Sequence, residues 1–118
     1  MQIDGETFMS QSCCIVTTTI DDANIASTLA RGVISKHLAA CVQIIPDVTS
    51  YYEWHGQLEK AQELILQFKT TQKRAGVLMQ YIKTNHSYDI PEIITTRIDK
   101  VDPEYEKWIE MAVIQDLS

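Results

Sequence analysis

The sequence predicts an α+β fold in which four antiparallel strands carry helices on one face. Three observations lead there. Two long stretches with period-2 patterning flank a two-residue turn at His55-Gly56. Two other stretches, near 22–38 and 72–85, repeat apolar residues at i, i+3 and i+4. Short β-branched runs stand before the first helical stretch and after the second, which gives the order β α β β α β, followed by a terminal helix.

Residues 1–10 are polar and weakly patterned and read as a flexible N-terminal arm; residues 11–118 read as one domain. Cys13 to Thr19 is short and β-branched, the composition of a central strand. Asp21 and Asp22 offer an N-cap and suit the positive end of a helix dipole. From there Ile25, Ala26, Leu29, Ala30, Val33, Ile34 and Leu38 form a core-facing stripe, with Gly32 permitting close packing on the sheet. His37 closes this helix and is expected at its last carbonyls.

The hairpin runs from Ala40 to Thr70. In its second strand Leu64, Leu66 and Phe68 share one face, with Glu63, Gln67 and Lys69 on the other. Strict pairing back from the turn puts Val42 and Ile44 opposite Lys69 and Gln67, the wrong face. One extra residue at Pro46-Asp47 repairs this, so that Val42 meets Phe68 and Ile44 meets Leu66. A β-bulge is therefore predicted there, and Pro, which lacks the ladder N–H, tolerates such a defect.

Thr70 and Thr71 can cap a helix over Gln72 to Asn85, with Ala75, Leu78, Met79 and Ile82 inward. Pro91 pushes Ile90 to an extended conformation, and Ile93, Ile94 and Ile98 mark a fourth strand. Asp102-Pro103-Glu104 starts a last helix, whose apolar face is Tyr105, Trp108, Ile109 and Ala112. The first six elements form the ferredoxin-like, split βαβ order. The second sheet face must be covered by the terminal helix or by another subunit.

Hairpin length adds an argument about assembly. Fifteen extended residues span about 50 Å at roughly 3.3 Å each. A compact chain of 118 residues has a radius of gyration of about 13–14 Å, hence a diameter of roughly 35 Å. The overhang carries Tyr51, Tyr52, Trp54 and Leu58, which are costly to leave in water. Either a second subunit covers it or a strong bend at the bulge folds the tip back.

The chain is 45% apolar and 22% charged, as in a globular domain, and its net charge of −6 disfavours general nucleic-acid binding. No apolar run approaches a membrane span and no signal peptide is visible. The odd count of three cysteines, Cys13, Cys14 and Cys41, suggests reduced thiols and a cytoplasmic location. There is no nucleophile elbow, no Gly-rich phosphate loop, no HExxH and no spaced Cys/His set, so no enzyme is expected.

The segments LAACVQIIPDVTSYYEWHGQLE, Lys69-Thr70-Thr71 and HSYDIPEII together resemble the CutA family of divalent-cation tolerance proteins, over about Val16 to Ile109. The resemblance implies a homotrimer built by the long hairpins, a likeness in shape to the PII signalling proteins, and a link to copper and other divalent metals. It implies no established reaction.

His86, Asp89 and Glu92 are the candidate metal ligands. An imidazole and two carboxylates suit Cu²⁺ or Zn²⁺, and His86 matches the family's proposed metal-binding histidine. The plainer reading is a histidine satisfying helix carbonyls beside acids that solubilise a strand edge. The family segment has Pro and Glu where this chain has Ser87 and Asp89. Thr18 stands at or near the position where some bacterial members carry a Cys, and Asn85 where some carry a second His. Cys41 matches a family Cys and reads as a small buried hydrophobe. Cys13 and Cys14, adjacent on a strand, point to opposite faces.

A second constellation, Trp54, Glu63, Lys69 and Tyr88, joined by Glu92, suggests a small-ligand cleft, which in this family lies between subunits. An interfacial salt bridge beside an aromatic anchor explains the same residues. Two functions follow from these residues. One is a trimeric cytoplasmic copper-type cation-binding protein of metal tolerance. The other is a PII-like small-molecule sensor or interaction scaffold without metal.

Overall fold

The computed structural model describes residues 12–114. The expected arm over residues 1–10 lies outside them. Seven elements follow in the predicted order: β1 (Cys13–Ile20), α1 (Ala23–Ser35), β2 (Cys41–Trp54), β3 (Gln57–Thr71), α2 (Gln72–Asn85), β4 (Ile93–Arg97) and α3 (Pro103–Ala112). The four strands form one antiparallel sheet in the order β2-β3-β1-β4.

The core lies between one sheet face and the helices α1 and α2. Val16, Leu66 and Phe68 from the sheet meet Ala26, Leu29 and Val33 of α1 and Leu78 and Ile82 of α2. Cys14 belongs to this core, whereas Cys13 is buried on the opposite side, where α3 packs against β1 and β3. Adjacent strand residues thus reach two separate apolar layers. Of the expected α3 face, Ile109 is buried, while Tyr105 and Trp108 stack on each other in the open.

The hairpin has the predicted register. Val42 faces Phe68, Ile44 faces Leu66, and the ladder shifts between Ile45 and Val48. Asp47 sits in that shift with φ 61°, the left-handed conformation that absorbs the extra residue. At the turn His55 (φ 51°) and Gly56 (φ 78°) are both left-handed, as a type I′ hairpin requires.

Several local expectations need correction. Helix α1 stops at Ser35, before Leu38. His37, at φ 57°, takes the left-handed position usually given to glycine. Its backbone N–H donates to Ile34 O at 3.1 Å, and that of Leu38 to Val33 O at 3.0 Å, a Schellman closure. Gly32 makes room for Tyr81 of α2 rather than for the sheet, since a Cβ there would collide with the tyrosine hydroxyl. Thr71 is the N-cap of α2 without a side-chain cap bond, and Thr70 Oγ1 instead donates to Leu38 O at 2.7 Å. Glu63, expected on the polar outer face, is buried.

The radius of gyration is 16.1 Å and the molecule measures 57 × 36 × 21 Å. A compact chain of this length would have about 13–14 Å, so the overhang stands and the tip does not fold back. Leu58 is 78% exposed, Tyr51 65% and Trp54 43%.

Candidate functional site

The hairpin, the β1–α1 junction and the segment 88–92 that leads into β4 line a cavity of about 630 Å³ that is open on one side. Register explains the hairpin's share. Val48 pairs with Glu63, Ser50 with Ala61 and Tyr52 with Glu59, so Ser50, Tyr52, Ala61 and Glu63 fall on one face of the ribbon. Four carboxylates line the cavity: Asp21, Glu63, Asp89 and Glu92. Four aromatic rings line it too: Tyr51, Tyr52, Trp54 and Tyr88. Among the described residues no Lys, Arg or His forms its wall, although Lys60 Nζ stands 5.9 Å from the centre of the Tyr51 ring.

Glu63 is the deepest charge, 7% exposed. Tyr88 Oη donates to its Oε2 at 2.7 Å. Burial, then this bond, then the negative charges of Glu63 and Asp21 push the Tyr88 hydroxyl well above the usual tyrosine value. The phenol therefore stays protonated and acts as a fixed donor.

His86 lies beside this cavity, not in it. Its Nε2 is 2.8 Å from Thr19 O, and the Tyr88 N–H donates to its Nδ1 at 3.0 Å. Since Nδ1 accepts, Nε2 must carry the hydrogen and donate to the carbonyl. The ring faces a groove between α1 and α2 with Asn24, Tyr81 and Asn85, and leans on Tyr88 at 4.7 Å between centroids. A metal at either nitrogen would break one of these bonds. His86 is placed as a strut that fixes the start of segment 88–92.

The predicted trio is thus divided. Asp89 and Glu92 face the cavity and His86 does not. Among the described residues no three His, Cys, Asp or Glu side chains gather as a metal-ligand set. Thr18 is fully buried and donates to Glu92 O at 2.6 Å, so it anchors the same segment. Of the expected cleft, Trp54, Glu63 and Tyr88 come together, and Lys69 does not. Lys69 lies six residues further along β3, about 20 Å away at roughly 3.3 Å per residue, where its Nζ bonds Gln43 Oε1. Sequence reasoning missed Asp21, which reads locally as a helix-start acid.

A family model described as CutA1 divalent ion tolerance protein matches residues 14–112. The chain belongs to the CutA1 family. It is 36% identical over 105 residues to "Protein CutA homolog" of Xenopus laevis, covering 89% of this chain and 70% of that protein. It is 37% identical over 95 residues to "Divalent-cation tolerance protein CutA" of Thermus thermophilus, covering 80% and 92%. The match spans 59% of the length of the mouse "Protein CutA". Among solved structures, CutA1 from Oryza sativa superposes with TM-score 0.85 at 31% identity, over 93% of this chain and 99% of that one. The Thermus thermophilus CutA1 structure gives TM-score 0.82 at 35% identity, over 85% and 97%. The CutA1 match includes every element that builds the cavity.

Proposed function

We propose that this protein is a trimeric cation-binding protein of divalent-metal tolerance, and that the cation enters the hairpin cavity. One observation carries the reading: four carboxylates line a single cavity whose wall holds no basic side chain among the described residues. Such a wall focuses a negative potential and gathers cations. Asp89 and Glu92 are the mouth ligands and Glu63 the deep one. With no convergent ligand set in one chain, the ion is held with its waters. Carboxylate and water oxygens alone suit a hard ion such as magnesium or manganese, whereas copper and zinc favour nitrogen and sulfur.

The remaining features are consistent with this. The strand order β2-β3-β1-β4 with two helices on one face fits the ferredoxin-like fold. An exposed aromatic hairpin tip and open β2 and β4 edges suit closure into a trimer. Three free thiols suit a reducing cytoplasm, and no helix among the described residues is long and apolar enough to cross a membrane. No catalytic role is proposed.

Calorimetric titration of Zn²⁺, Cu²⁺ and Mg²⁺ into the reduced protein, with mass from light scattering, tests the reading. Saturable binding on a particle near three times 13.4 kDa, lost in an Asp89→Asn/Glu92→Gln variant, is expected. Absence of heat with every ion would overturn it.

A second reading is favoured by the size of the cavity. Six waters around an ion need only about 60–90 Å³ at roughly 10–15 Å³ each by the same measure, against about 630 Å³ here, open on one side. This is the small-molecule sensor, PII-like in shape.

A further inference from the structure

We infer that the hairpin cavity takes a linear aliphatic polyamine in its ammonium form. The inference rests on the reading of the cavity as a cation site and names an organic cation for it.

The argument starts at Glu63. Its carboxylate is nine-tenths buried, yet its donor is a neutral phenol, and among the described residues no basic side chain pairs with it. A buried carboxylate of that kind is costly unless a cation reaches it. The cavity supplies the route, because Glu63 forms part of its wall.

Ring chemistry then selects the kind of cation. Tyr52 and Trp54 stand on the same wall as Glu63. Indole and phenol faces attract ammonium groups and pack against methylenes, whereas they offer no ligand to a hydrated metal ion. A chain of methylenes with ammonium groups at intervals uses both surfaces at once. One ammonium donates to Glu63 and others reach the more exposed Asp89 and Glu92. Cavity volume fits a molecule of that size and leaves much empty space around a metal ion.

The test is calorimetric titration of spermidine into the full chain, beside Glu63→Gln, Trp54→Leu and, as a remote charge control, Glu104→Gln on exposed α3. Saturable binding weakened about tenfold or more by Glu63→Gln, severalfold by Trp54→Leu and unchanged by Glu104→Gln is expected. Should Glu63→Gln fail to fold, the exposed Glu92→Gln serves in its place with the same expectation. No saturable binding by the unaltered protein, or equal weakening by the control, overturns the inference. Zn²⁺ and Mg²⁺ titrated into the same preparations separate the two readings. Metal binding without spermidine binding removes the polyamine and keeps the cation cavity; binding of neither removes both.

Discussion

At His86 both ring nitrogens are used inside the chain, one accepting from Tyr88 and one donating to Thr19. A histidine among acids reads as a ligand in sequence, but its partners are backbone groups that sequence spacing does not reveal. Thr18 works on the same segment through Glu92 O. Thr18→Val keeps the shape and removes the donor, so urea unfolding should show a loss of about 1–2 kcal/mol. Tyr88 gives a pH prediction. Its folded-state pKa lies above the unfolded value near 10, so its contribution to stability is complete below that value and is lost as pH rises beyond it. Melting temperature followed from about pH 9 to 11 should fall more steeply for the unaltered protein than for Tyr88→Phe. His37 holds a left-handed conformation at the end of α1. His37→Gly should stabilise by about 0.5–1 kcal/mol in the same unfolding assay, the relief of a side-chain clash outweighing added chain entropy.

The hairpin is the element most legible in the sequence. Its turn, bulge and register follow from period-2 patterning and one proline, because a slip of one residue moves every apolar side chain to the wrong face. Deleting Asp47 should therefore be far worse than replacing it. Circular dichroism melting should show loss of folding or at least about 4 kcal/mol of destabilisation, while Asp47→Gly should melt no lower than the parent. Helix ends were less legible. The stripe of α1 continues through Leu38, but the helix turns off at Lys36 and Leu38 reaches the core from the following loop. Apolar spacing alone does not distinguish these, since both bury the same side chain.

For the whole molecule the decisive feature is shape. A 57 Å axis leaves the hairpin tip without cover from its own chain. Leu58 lies outside the cavity wall and is 78% exposed. If hairpins build the trimer, Leu58→Glu should lower the mass in light scattering or the melting temperature. An equally stable particle of three chains would count against hairpin-built assembly.

By itself the sequence determined the order of elements, the hairpin register, the bulge and the family resemblance, since each rests on local chemistry or on a periodicity read within one segment. It also named Trp54, Glu63, Tyr88, Asp89 and Glu92. Only the tertiary structure decided that these share one cavity with Asp21, that Lys69 lies some six residues of strand away, and that His86 props the cavity from behind. The reason is physical: a cavity is made by segments from three parts of the chain, and their approach depends on sheet order and strand twist, which no single segment encodes.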